Sequence, residues 1–322
     1  MMESKSLLAE ALSLYSLNNP ESLHIRHNEN MTYKIIDDNK PYVLRIHKPI
    51  EGFDVDFYGM PYGNVEIIQN EGKIIAALKN KTDLPMQTPA YGKNGRFVQS
   101  VSGGIPVTML EWVDGQTFEE VDVTPTLLKA SGAMIAKIHM LFAKKDNGKP
   151  YVRFNYDQTL LLAIKQKIKS AAQTEIITPR QERIILNAIN EMHKRLDELD
   201  KIEKKHIVHA DLTNSNIIIG EDGRLTPIDF SLCGYSHFYM DIAGLYAASE
   251  NGLKYIIDGY KSIRECEINP RYLELYFALQ IVLFVAGQYK RANEWDWFEE
   301  CVERWCRETF KPLAENIEII FK

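Results

Sequence analysis

The segment HADLTNSNIIIGEDGRLTPIDF, residues 209–230, holds two carboxylates and an amide at the ends of a short apolar hairpin. Asp211 and Asn216 lie five positions apart, and Asp229 closes the returning strand. This set suits phosphoryl transfer. A carboxylate can orient an attacking hydroxyl, and hard oxygen ligands can hold the Mg2+ that neutralises a triphosphate. A surface hairpin with polar ends would explain a lone His-x-Asp. It does not explain the full set followed by an apolar strand and Ile-Asp-Phe.

The His-x-Asp-x-x-x-x-Asn spacing is that of a kinase catalytic loop, and Asp229 stands at the Asp-Phe-Gly position with Ser231 in place of the glycine. Together with MDIA at 240–243, these motifs resemble the aminoglycoside phosphotransferase and choline kinase superfamily, whose members are small-molecule kinases with a protein-kinase-like fold. The segment IDFSLCGYS is also similar to that of the superfamily's bacterial stress-response kinases. The resemblance implies a catalytic base at Asp211, Mg2+ ligands at Asn216 and Asp229, and loop-bracing roles for His209 and Asp241. It implies a phosphate-binding cation on the third strand, where YVLRIHKP places Arg45, with an acidic partner on the next helix. Glu71 fits the pattern and Glu66 competes with it. Arginine at such a site can hold phosphate oxygens bidentately. No Gly-x-Gly-x-x-Gly roof precedes it; RHNENMTYKI stands in that place, resembling an Asn-Glu-Asn variant. Asn28 and Asn30 can take left-handed backbone in the manner of glycine. Thr32 and nearby amides would then face the phosphates. TMLEWVDG resembles an interlobe hinge, which gives the Glu111 carbonyl and the Val113 amide as adenine contacts.

These residues need two kinds of element to position them. The first third reads as strands over 23–27, 32–37 and 42–47, with a turn at 38–40, then a helix over 65–80 and strands over 96–101 and 105–113. Ile67, Ile68, Ile74, Ile75 and Leu78 are its candidate core residues, and Gly72 weakens the helix locally. After Asp114-Gly115 the pattern turns helical, over 124–143, 157–172, 179–199 and 271–289. The hairpin is the exception. The expected architecture is therefore α+β and two-lobed. A small antiparallel-sheet lobe with one main helix, residues 1–114, binds nucleotide. A larger, mostly helical lobe, 115–322, carries the catalytic loop and the acceptor site.

Bulk properties restrict the partners. The chain has 322 residues and a net charge of −6, which argues against a nucleic-acid partner. No apolar run approaches the roughly 20 residues of a membrane helix, and the acidic N-terminal stretch is no signal peptide. Four cysteines without a CxxC point to reduced thiols and a cytoplasmic protein. The cofactors expected are ATP and Mg2+, and the acceptor a small hydroxylated molecule. The stretch 293–305, with Trp295, Asp296, Trp297, Glu299 and Glu300, could hold a cationic amine or a sugar face; a solvated acidic helix is the plainer reading. A protein serine/threonine kinase of the stress-response type is the alternative, although only twelve positions separate Asp229 from Asp241 and no Ala-Pro-Glu follows. A nucleotide-binding pseudokinase is a third reading. The acceptor's identity, the choice of ATP over GTP and the oligomeric state are not legible in the sequence.

Overall fold

The computed structural model describes residues 2–59, 63–143, 150–248 and 252–320. Its N-terminal part is built on one antiparallel sheet. Helix α1 (Met2–Ser13) leads into β1 (Glu21–His27), β2 (Met31–Asp37) and β3 (Lys40–Ile46). Then come α2 (Val65–Lys81), β4 (Pro89–Ala90), β5 (Gln99–Val101) and β6 (Ile105–Glu111). The strand order is β1-β2-β3-β6-β4, with β5 also on β6. Asp38 and Asn39 both take positive φ, the conformation a two-residue hairpin turn requires. The strand expected over 96–101 is ordered as a strand only at β5, and β6 ends two residues short of Val113.

Two apolar faces fix this sheet. On one, Leu7 and Ala11 of α1 and the following Tyr15 pack on Tyr33, Leu44, Ile46 and Met109. On the other, α2 buries Ile67, Ile68, Ile74, Ile75 and Leu78. Its Asn64 cap accepts hydrogen bonds from the Glu66 and Ile67 amides. Gly72 belongs to this packing, because a Cβ there would meet the Phe97 ring at 2.5 Å.

The remainder is mostly helical. β7 (Gln116–Thr117), α3 (Pro125–Ala143), β8 (Phe154–Asn155), α4 (Gln158–Gln173) and α5 (Pro179–Leu199) precede the hairpin region. That region comprises β9 (His206–Val208), β10 (Ile217–Ile219), β11 (Leu225–Pro227) and β12 (Gly234–Ser236). It is followed by α6 (Tyr239–Ala248), α7 (Leu253–Lys261), α8 (Pro270–Gln288), α9 (Phe298–Trp305) and α10 (Lys311–Ala314). The architecture is the α+β arrangement expected. β7 pairs with β10, which joins the hinge exit to the catalytic hairpin. Gly115 permits that approach: at φ 142° a Cβ would lie 2.2 Å from the Ile219 carbonyl oxygen.

Two expectations are corrected here. Residues 293–305 do not form one helix. A 3-10 turn ends at Glu294, residues 295–297 are irregular, and α9 begins at Phe298. The cause is aromatic packing: Trp295 stacks on Trp297 at 5.5 Å and Arg291 lies over Trp295. The second concerns hydrophobic length. Pro270–Glu294 is long and apolar enough to cross a membrane by composition, contrary to the sequence reading. Of its most apolar 18-residue stretch, 72% is nevertheless buried inside the protein, where α8 packs against α6, α5 and α4.

Candidate active site

The hairpin between β10 and β11 presents its polar residues through strained backbone. Ala210 has φ 67° and Asp229 φ 63°, left-handed values for residues other than glycine. Each such residue costs on the order of 1–3 kcal/mol and persists only where its surroundings over-determine it. For Ala210 the surroundings are Asp241, at the start of α6. Its carboxylate accepts from the His209 amide at 2.8 Å and the Ala210 amide at 2.7 Å. A third donor, His139 Nε2 from α3, lies at 2.9 Å, and Tyr260 supports the other ring nitrogen at 2.9 Å. Asp241 is held below its usual value: burial opposes ionisation, but these donors outweigh it.

His209 fastens the loop to the returning strand. Its Nε2 donates to the Ile228 carbonyl at 2.9 Å, and the Asp211 amide donates to its Nδ1 at 3.4 Å. Burial lowers its pKa, so the ring is neutral, as this pair of bonds requires.

The two carboxylates experience opposite environments. Asp211 is half-buried, and among the described residues its carboxylate accepts from the Asn216 side chain, Nδ2 to Oδ2 at 3.1 Å. Its pKa is pushed up to about 8, first by desolvation and then by the charges of Asp229 and Glu29. Asp229 is desolvated too, yet Arg45 and Arg26 hold its carboxyl well below the ordinary value. Arg26 Nη2 lies 3.1 Å from Asp229 Oδ2, and Arg45 Nη2 lies 3.3 Å from Oδ1.

Arg45 also reaches α2. Its Nη1 is 3.1 Å from Glu71 Oε1, with both side chains buried, whereas Glu66 is exposed at the helix start. Thr32 lies directly across from Arg45 in the β2–β3 register, so the two side chains leave one face of the sheet. Asn216 is set by the hairpin: Nδ2 donates to the Asp211 carbonyl at 2.8 Å as well as to its carboxylate, which leaves the amide oxygen as the outward donor atom.

The roof differs from expectation in its backbone. Neither Asn28 nor Asn30 has positive φ. The turn is closed instead by the Asn28 amide donating to the Asn30 carbonyl at 3.2 Å, and Ile50 donates to the Asn28 carbonyl at 2.7 Å. Asn30 is 1% exposed, and its side-chain nitrogen and oxygen have no partner among the described residues. At the hinge, the Glu111 carbonyl accepts from Gln87 Nε2 at 3.3 Å, and the half-buried Val113 N–H has no main-chain partner among the described residues.

A cavity of about 450 Å3 opens beside Asp211 and Asn216. Arg26, Asn28 and Glu29 line its upper side, and Tyr58, Phe284 and Trp305 contribute aromatic wall. Trp295, Asp296, Trp297, Glu299 and Glu300 lie outside that lining. The acids Asp296, Glu299 and Glu300 are exposed, in keeping with the plainer reading of a solvated face, and the residue of 293–305 that lines the cavity is Trp305, from the end of α9.

Three residues of the site escaped the sequence reading. Arg26 sits inside the quoted roof segment, but a register shift between His24 and Arg26 is what interrupts β1 at this point. His139 lies in α3, about a hundred residues from the carboxylate it supports. Arg153 lies in a loop with no motif around it.

Known proteins share the family and the fold of this chain. The model of a phosphotransferase enzyme family matches residues 24–276. The chain is 25% identical to amicoumacin kinase of Bacillus subtilis (strain 168) over 244 residues, 74% of this chain. It spans 66% of the length of that curated relative. Among solved structures, a microcompartment-associated aminopropanol kinase superposes with a TM-score of 0.78 at 21% identity, covering 97% of each chain. An amicoumacin kinase in complex with AMP-PNP, Ca2+ and Ami superposes with a TM-score of 0.72 at 18% identity, covering 99% of this chain and 95% of the other. These superpositions establish the shared fold.

Proposed function

The chain belongs to the phosphotransferase enzyme family, and on that premise we propose that it transfers the γ-phosphoryl group of ATP to a hydroxyl of a small molecule. The observation that carries this reading is the opposite electrostatics of Asp211 and Asp229 at the two ends of one hairpin. Asp211, raised and without a cationic hydrogen-bond partner, accepts the proton of the attacking hydroxyl. Asp229 stays ionised and draws cations, as Arg26 and Arg45 already demonstrate.

Asp229 and the outward oxygen of Asn216 are hard donors that fit Mg2+. Magnesium, when bound, neutralises charge on the triphosphate. Arg45, oriented by Glu71, grips phosphate oxygens. Asn28, Asn30 and Thr32 form the roof over them, and the unspent amide of Asn30 supports that role. The Glu111 carbonyl and the Val113 amide read the adenine edge. His209 and Asp241 hold the loop without contacting substrate. Residues 1–114 act as the nucleotide lobe and 115–322 as the acceptor lobe.

The acceptor occupies the cavity beside Asp211, whose volume suits a single small molecule. Glu29 and Asp211 favour an acceptor that also carries an amine; Asp54, a third acid in the lining, is already engaged by Lys167 and Lys290 at 2.5 and 3.0 Å. Only a 3-10 turn and β12 separate Asp229 from α6, which leaves no platform for a docked peptide. The reaction belongs in the cytoplasm, where ATP is supplied and thiols stay reduced; the four cysteines are unbridged.

The test is transfer of labelled γ-phosphate across amino alcohols, aminoglycosides, sugars and generic protein acceptors, with Mg2+ and with chelator. Mg2+-dependent labelling of a small hydroxylated compound is expected. Labelling of protein acceptors alone would contradict the assignment.

A further inference from the structure

Arg153 is 1% exposed and, among the described residues, meets no carboxylate at ion-pair distance. Burying a guanidinium in this way is costly unless its donors are spent. Four of its five are spent on main-chain carbonyls. Nε donates to Cys233 at 2.7 Å, Nη1 to Ile67 at 2.9 Å, and Nη2 to Phe230 at 2.9 Å and Ser231 at 2.6 Å. The Phe154 ring lies 5.2 Å from the guanidinium carbon and adds a cation–π contact.

The placement of those carbonyls is informative. Phe230 and Ser231 directly follow Asp229, whose left-handed backbone needs external support. Ile67 lies one helical turn before Glu71 on α2. One side chain thus ties the metal-binding loop to the helix turn that orients Arg45. We propose that Arg153 is a positioning residue that holds the Asp229 loop and α2 as one body, so that the two sides of the phosphate site keep a common register without an external activating event. A planar five-donor fork suits this task, whereas lysine offers three donors from one point and cannot span four carbonyls.

The inference rests on the phosphotransferase reading of Asp229, and its test separates the two. Mg·ATP and metal-free ATP are titrated calorimetrically into wild type, Arg153→Lys and Arg195→Lys. Arg195 is the control: it is 2% exposed, bonded to Glu191 and Glu274, and outside the lining of the cavity. Both variants should melt below wild type. Arg153→Lys alone should weaken Mg·ATP about tenfold while metal-free ATP binds unchanged, so its Mg2+ dependence collapses. Unaltered Mg2+ dependence in a folded Arg153→Lys overturns the proposal while leaving the phosphotransferase reading intact. Wild type that binds ATP without regard to Mg2+ overturns both. A second measurement needs no substitution. In wild-type protein, amide exchange over 229–233 and the first two turns of α2 should share one opening free energy and gain protection together on adding Mg·ATP. Independent opening of the two segments overturns the proposal even if the variants do not fold.

Discussion

The two ends of the catalytic hairpin are made of the same residue type and differ in almost everything else. Asp229 is desolvated but meets two arginines, and its carboxyl titrates below the ordinary range. Asp211 is partly desolvated, meets an amide rather than a cation, and titrates up to about 8. Burial pushes both in one direction, so neighbouring charges decide the difference: Arg45 and Arg26 lower Asp229, while Asp229 and Glu29 raise Asp211. Asp229 has two arginines within 3.3 Å, whereas among the described residues Asp211 has an amide at 3.1 Å. Two carboxylates whose environments drive their pKa values apart carry separate roles in one site.

The comparison breaks most readily at turnover. Asp211→Asn should lower kcat by about 10²–10⁴-fold, the usual contribution of a positioned base. Steady-state kinetics with the best acceptor tests this, and a kcat near wild type would remove Asp211 from the role.

The cation side is sharpened by Arg45 and Glu71. Arg45→Lys and Glu71→Gln should each raise the KM for ATP by roughly tenfold, since a charge-assisted hydrogen bond contributes about 1.5–3 kcal/mol. The double variant should be less impaired than the product of the singles, because the two share one network. Glu66→Gln, at an exposed position, should leave the KM unchanged. Additive effects of Arg45 and Glu71 in these kinetics would deny their coupling.

Stability gives a smaller effect with opposite signs. In metal-free protein at pH 7, Asp211→Asn removes the cost of holding this carboxyl protonated in the fold and should raise Tm. Asp229→Asn strands two arginines and should lower it. The pH dependence follows. The folded Asp211 pKa lies above its ordinary 3.8, so its contribution to stability is full below that value and is lost as pH rises towards about 8. The Tm advantage of Asp211→Asn over wild type should therefore widen from pH 5 to pH 8. Thermal melts with chelator present measure it, and a constant difference would contradict the raised pKa.

Arg26 should matter least. It is 43% exposed and shares its charge between Asp229 and Glu29. Arg26→Ala should change the KM for ATP by only about two- to fivefold, in line with a partly screened ion pair. A kinetic loss as large as that of Arg45→Lys would make Arg26 a principal phosphate ligand.

Much of this was legible in the sequence, for identifiable reasons. The hairpin was readable because Asp211, Asn216 and Asp229 lie close along the chain, at fixed spacing among apolar residues. The helix α2 was readable because Ile67, Ile68, Ile74, Ile75 and Leu78 follow helical periodicity, and all are buried. Helix α5 showed its start through Thr178-Pro179, which forms a capping box with Gln181. What the sequence hid depends on distant contacts. Arg153 reaches carbonyls 77 to 86 positions away, and carbonyls have no sequence signature. Asn28 and Asn30 suggested left-handed backbone by residue type, but main-chain bonds across the loop fixed another conformation. Across 293–305 aromatic stacking overrode helical periodicity, which displaced the expected acceptor contacts.

On the proposed reading, Asp229 anchors a metal-bound nucleotide while Asp211 handles the acceptor's proton. Calorimetric titration of Mg·ATP into wild type, Asp211→Asn and Asp229→Asn tests it most directly. Wild-type affinity is expected for Asp211→Asn, and for Asp229→Asn a fall to the affinity of metal-free ATP. Equal loss in both variants, or retained Mg2+-dependent affinity in Asp229→Asn, would contradict it.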